Sequence, residues 1–365
     1  MNSLHTQLLK QVNDGTPEYP ATVLESFRRL QIRTSYYQDP PPRGAGLRIG
    51  ILQIQAAWGP GAVAANLERL AETLEIGSDH GVQFLILPEL YLPGYTHNPA
   101  SAREVSEPAD GPSIRTCQSL AAKYEIALCV PYGERAESAD GPRFYDAAAM
   151  INERGELLDS YRKTHLYGQQ ERDNWDAGDS DFPVHRIHDF PVGMLNCYEC
   201  EFPELARILA LKGAKLIAGP TAADTYYIMP DGTRSRVPYP DVVPSVLPSQ
   251  AYCNNLFFAY ANRCGFEERD GEVWHYRGNS AVIGPHGDHL VTAAAEQDTL
   301  LIADCVPAFY GRTHPAPAYH YLRDRRPELY RQLVSQDNQF IDTARRELDL
   351  QTDLFSGTGA ETADS

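Results

Sequence analysis

FPVGMLNCYECEFPELARILALKGAKLIAG, residues 190–219, reads as strand, turn, helix and strand in immediate succession. FPVGMLNC (190–197) is an apolar run of strand length. EFPELARILALKG (201–213) has helical spacing and stops at Gly213, and AKLIAG resumes an apolar strand. Such a unit belongs to a layered protein in which helices cover sheets.

The same grammar extends in both directions. Upstream, LRIGILQIQ (47–55) alternates as a strand, Ala62 to Ile76 is spaced as a helix closed by Gly77 to Gly81, and VQFLILPE (82–89) is a buried strand. A helix over about 113–124 leads to strand IALCVPY (126–132), and YDAAAMI and LLDSYRK pair around the turn Asn152-Glu153-Arg154-Gly155. Downstream come a Pro/Tyr-rich loop over 225–248, a helix, strand LFFAYA (256–261), a hairpin around Pro285-His286-Gly287-Asp288 and strand TLLIADC (299–305). Helices alternate with strands, yet several strands come as antiparallel pairs, so the class is layered α/β or α+β. Residues 1–45, with a short helix near Leu24 to Ile32 and the breaker Asp39-Pro40-Pro41-Pro42-Arg43-Gly44, read as an N-terminal extension. Residues 46–310 form the main domain. Residues 311–365, with a helix near 339–349 and a polar tail, are a C-terminal extension suited to oligomer contacts.

The 365 residues carry a net charge of −17, which argues against nucleic acid and anionic membranes as partners. No stretch approaches the roughly 18 apolar residues needed to span a bilayer, and the N-terminus lacks the pattern of a secretory signal. Seven scattered cysteines suit reduced thiols in a cytoplasmic compartment better than a disulfide framework.

Three stations could carry chemistry. Glu89 leaves an apolar strand, where burial makes a carboxyl a better base near neutral pH. Cys197 stands between a strand and a helix, where the helix dipole would favour thiolate. Lys163 closes a strand, with Glu171 in the polar loop that follows. Read singly, each has a plain alternative: a solvated acid, a packed thiol and a surface charge.

Together the stations resemble the nitrilase superfamily, the carbon–nitrogen hydrolases. LILPELYLPGY holds Glu89, YRKTHLYGQQER holds Lys163 and Glu171, and GMLNCYECEFPE holds Cys197. NNLFFAYANRCG (254–265) and GNSAVIGPHGD (278–288) are similar to two further family signatures, so the resemblance spans about Leu47 to Tyr310. One departure is Cys253, which stands where the family has the glutamate of a Glu-Asn pair.

The resemblance implies a four-layer α–β–β–α sandwich that forms homodimers or larger assemblies, and an amidase using water and no cofactor or metal. It gives Cys197 the role of nucleophile, Glu89 that of base, and Lys163 that of oxyanion partner beside the backbone N–H of Tyr198. Glu171 would support Lys163. Tyr95, Trp175, Glu201, Thr221 and Ala222 follow pocket positions of the family. Acid-amide hydrolases of the family often carry Arg where this chain has Glu201, so neutral or amine-bearing amides are expected, with N-carbamoyl amines or nitriles as alternatives.

Competing readings are weaker. Cys197-Tyr198-Glu199-Cys200 is formally a C-x-x-C pair, but no second pair completes a zinc site, and residue 197 is no domain start for a redox fold. GAGLRIG (44–50) precedes its strand, unlike a dinucleotide fingerprint, and no G-x-S-x-G elbow occurs. A non-enzymatic scaffold relative would be expected to lack a catalytic residue, whereas Glu89, Lys163, Glu171 and Cys197 are all present.

Overall fold

The computed structural model describes residues 30–226, 238–269, 272–310, 315–316 and 319–335. Strict alternation along the central strands decides the layering. In β2 (Leu47–Gln53), Leu47, Ile49 and Ile51 face one core while Leu52 faces another. In β9 (Leu216–Thr221), Leu216 and Ala218 share that first core, and Ile217 points the opposite way. A strand shows its two faces to two different layers, so both sheets are buried on both sides.

The first sheet has the order β1-β15-β2-β3-β4-β5-β6, comprising Gln31–Ser35, Thr299–Cys305, β2, Phe84–Ile86, Ala127–Ser138, Gly141–Ile151 and Leu157–Arg162. The second has the order β14-β13-β10-β9-β8-β7, comprising His289–Thr292, Ala281–Ile283, Phe257–Asn262, β9, Phe190–Met194 and His185–Ile187. The sheets pack face to face through the core that holds Phe84, Met150, Met194 and Phe257. Helices α1 (Ala62–Asp79) and α3 (Pro112–Tyr124), with the short α2 (Pro99–Val105) between them in the chain, cover the first sheet through Leu70 and Leu74 of α1 and Ile114 and Ala121 of α3. Helices α5 (Pro203–Leu211) and α6 (Val246–Asn254) cover the second through Leu205, Leu209, Leu247 and Ala251. This is the expected four-layer α–β–β–α sandwich.

Several details differ from expectation. Residues 31–35 are not helical: β1 pairs in parallel with β15 and adds an edge to the first sheet. The polar loop after Lys163 contains a short helix, α4 (Gly168–Asn174), and strands β11 (Cys264–Arg269) and β12 (Glu272–Arg277) form an extra hairpin. A 3₁₀ turn over Cys197–Glu201 precedes α5. The expected helix at 339–349, residues 24–29 and residues 227–237 lie outside the described residues.

Strand direction places the chemistry. Strands β2, β3 and β4 are parallel, as are β8, β9 and β10. Two antiparallel steps, β4 to β5 to β6, return β6 to the direction of β4. The exits of β3, β6 and β8 therefore carry Glu89, Lys163 and Cys197, in line with the rule that sites form at carboxyl ends of strands. Close approach of α5 to β8 fixes the last exit. A Cβ on Gly193 would lie 2.6 Å from Leu209 Cδ2.

Candidate active site

The centre of the site is a buried lysine. Lys163 Nζ donates to Glu89 Oε1 at 2.6 Å and to Glu171 Oε1 at 2.8 Å, and all three residues are shielded from solvent. Burial alone would push the amine down, but the facing carboxylates of Glu171 and Glu89 outweigh it and hold Lys163 well above its usual range. The lysine is an ammonium ion and cannot be a base. Glu171 also accepts the Tyr95 hydroxyl at 2.7 Å and the Tyr167 N–H at 2.7 Å, a donor set that suits a carboxylate.

Cys197 sits above this centre with φ 53°, a left-handed conformation costly for a side chain with a Cβ. Burial first, then the Glu89 charge, raises its thiol well above the ordinary value, with Lys163 opposing and Glu171 reinforcing. This corrects the expectation of a dipole-stabilised thiolate. The 3₁₀ turn is short, and two carboxylates face the sulfur, so the resting group is a thiol that needs a base.

Two buried acids lock the stations together. Glu199 accepts the N–H groups of Asn196 and Thr164, each at 2.7 Å, and the Tyr161 hydroxyl at 2.7 Å. It thereby ties the residue before Cys197 to the residue after Lys163. Glu267 accepts the N–H groups of Tyr95 and Thr96 at 2.9 Å and pairs with Arg263, whose guanidinium donates to the Glu89 carbonyl at 2.9 Å and to the Leu90 carbonyl. The Asn-Arg-x-Gly stretch thus supports the backbone that presents Glu89.

A narrow cleft opens over Cys197. It is lined by Tyr95, Glu201 and Ala222 of the expected pocket residues, by Tyr198, expected there for its backbone N–H, and by Tyr167, Asp224, Tyr239 and Trp274, which sequence reasoning missed. Glu201 accepts the Tyr239 hydroxyl at 3.0 Å, and burial raises its carboxyl while that hydrogen bond opposes the rise. Trp175 and Thr221 lie behind the wall. Trp175 packs with Leu90 and Tyr95, and the Thr221 carbonyl accepts the Glu89 N–H at 3.3 Å.

Asp146 of β5 was also missed. It is fully buried, and one of its carboxylate oxygens lies within 4.8 Å of one oxygen of Glu89 and one of Glu171. Such a cluster could hold a cation, and here the chain's own Lys163 ammonium lies among the three acids.

Comparison with known proteins gives the family. Residues 48–314 match the family model described as carbon-nitrogen hydrolase. A Pseudomonas protegens protein described as "hydrolase in pqqF 5′ region" is 35% identical over 268 residues, covering 73% of this chain and 86% of that one. The N-carbamoylputrescine amidase of Solanum lycopersicum is 29% identical over 75% of this chain and 91% of its own. Among solved structures, an amidase from Nesterenkonia sp. AN1 is 30% identical with TM-score 0.63, covering 81% of this chain and 99% of that one. That structure, a glutamate-to-glutamine variant, carries the acetamide moiety of fluoroacetamide on its active-site cysteine.

Proposed function

The chain belongs to the carbon–nitrogen hydrolase family, and we propose that it is an amidase that releases ammonia from a small amide through a thioester on Cys197. The observation that carries this reading is Cys197 at a strand–helix turn, lining the cleft beside a buried Glu89–Lys163–Glu171 centre.

Each residue has one task. Glu89 takes the Cys197 proton as the sulfur attacks the amide carbon, and the C–N bond breaks as Glu89 returns that proton to the departing ammonia. Water then gives a proton to Glu89 and attacks the thioester, and the proton returns to the sulfur as the acid leaves. A positioned acid–base group is worth roughly 10²–10⁴-fold in rate. Lys163 and the Tyr198 N–H would hold the oxyanion, a role worth about 10²–10³-fold per donor. Glu171 keeps Lys163 charged and in place.

Glu201 and Asp224 bring two carboxylates to an aromatic cleft. They favour neutral or amine-bearing amides over acidic ones, and the Tyr and Trp faces would suit an ammonium group. The same acids favour a second reading, an N-carbamoyl amine substrate, which is what the named activity of the Solanum relative acts on.

The division into extension, hydrolase domain over 46–310 and C-terminal extension belongs to this reading, as do a cytoplasmic location and a homodimer or larger assembly. Seven free cysteines support a reducing compartment, and exposed Leu329, Leu333 and Val334 supply apolar surface for subunit contacts. Among the described residues no helix is long and apolar enough to cross a membrane.

The test is ammonia release from a panel of neutral, amine-bearing and acidic amides, N-carbamoyl amines and nitriles, with Cys197→Ala as control. Activity on an amide that vanishes in the control is expected. Full activity in Cys197→Ala would refute the reading.

A further inference from the structure

We propose that Asp146 holds a proton at neutral pH and donates it in a hydrogen bond to the second carboxylate oxygen of Glu89, which makes Asp146 a positioning residue for the base. The inference rests on the reading of Glu89 as base.

The geometry leaves one proton to be placed. Glu89 Oε1 accepts Lys163 Nζ at 2.6 Å, while Glu89 Oε2 is fully buried and meets no donor among the described residues. Asp146 Oδ1 accepts Asn196 Nδ2 at 3.0 Å, while Asp146 Oδ2 is equally buried and equally without a donor. Lys163 Nζ stands 3.6 Å from Asp146 Oδ2, beyond hydrogen-bond range. One oxygen of Asp146 lies within 4.8 Å of one oxygen of Glu89, and two buried acids so near repel as a pair of carboxylates and attract as an acid and a carboxylate, so a single proton between them satisfies both.

Charge counting agrees. Three acids, Glu89, Glu171 and Asp146, face a single ammonium, Lys163, in a site shielded from water. The other titratable groups that face the cluster are the Cys197 thiol and the Tyr95 phenol, and neither adds positive charge. Arg263 is engaged by Glu267 and by the Glu89 and Leu90 carbonyls. The proton belongs on Asp146 because the other two acids have the better cation contacts. Glu89 and Glu171 both touch Lys163 within 2.8 Å. Burial raises the Asp146 carboxyl well above its usual range, and the charges of Glu89 and Glu171 add to this, while Lys163 opposes it.

With both oxygens held, Glu89 is fixed in one orientation. The strand supplying Asp146 is itself tied to the site, since the Asp146 carbonyl accepts the Lys163 N–H at 2.9 Å.

Asp146→Asn and Asp146→Val separate the roles. The amide of Asn can accept from Asn196 and donate to Glu89, as a protonated acid does, so Asp146→Asn should keep kcat within about tenfold, near 1.4 kcal/mol. Asp146→Val removes the donor and disfavours the charged base. It should lower kcat by roughly 10²-fold with KM changed less, and move the acid limb of the kcat/KM profile to higher pH. Equal damage in both variants would mean that Asp146 works ionised and would overturn the proposal. An infrared spectrum at neutral pH needs no activity and keeps this test apart from that of the reaction. A protonated-carboxyl band present in the native protein and lost in Asp146→Asn is expected, and its absence from the native protein would overturn the assignment.

Discussion

Replacing Lys163 with methionine removes the ammonium that lies among three buried acids. Its Nζ lies 2.6 Å from Glu89 and 2.7 Å from Glu171, and none of the three is appreciably exposed. At an effective dielectric near 20, each contact is worth about 6 kcal/mol of gross attraction. Most of that offsets desolvation, so breaking the arrangement should cost about 3–5 kcal/mol of stability, or a fall in Tm of about 5–10 °C. The loss should depend on pH with a definite sign. Without the cation, the folded variant binds protons on its carboxyls that the unfolded chain releases, so its stability falls as pH rises. Native Lys163 is held well above its ordinary value and stays charged across the same range. Thermal unfolding of both proteins from about pH 5 to pH 9 should therefore show a gap that widens toward the alkaline end. Ammonia release should fall by at least about 10²-fold at every pH. A gap that is constant with pH, or no gap, would refute the buried-ammonium argument whatever the activity does.

Two further outcomes follow from the supports and the cleft. Arg263→Leu strands Glu267 in the interior and frees the Glu89 and Leu90 carbonyls, so chemical denaturation should show a loss of about 3–5 kcal/mol and activity should fall even below the melting range. Glu201→Gln should lower kcat/KM for amine-bearing amides about tenfold while leaving neutral amides nearly unchanged, measured by competition between matched substrates. An equal loss on both classes would assign Glu201 to structure alone.

The layered fold was legible because its core strands are short apolar runs punctuated by helices with clear ends, such as Pro203 to Gly213. Strand β1 was not. Its residues Gln31–Ser35 are exposed throughout and carry no alternation, and only pairing with β15 makes them a strand. Helix α4 was hidden in the same way by a polar, short sequence whose buried face is Glu171 and Asn174. The dipole argument at Cys197 failed because it weighed a local helix and could not see Glu89 arriving from another layer. Asp146 was missed for the same reason. Within YDAAAMI it is an ordinary polar residue of a strand, and its meaning comes from partners at positions 89, 163 and 196. Asp224, Tyr239 and Trp274 come from the far end of the chain and converge on the cleft only through folding.

The covalent intermediate tests the central claim most directly. The protein is mixed with its best small amide, quenched in acid within the first turnovers, and measured as an intact mass, with peptide mapping of any adduct. An added acyl mass carried by the peptide containing Cys197, and absent from Cys197→Ala, is the predicted result. Turnover of the amide with the acyl group on another residue, or turnover that persists undiminished in Cys197→Ala, would contradict it.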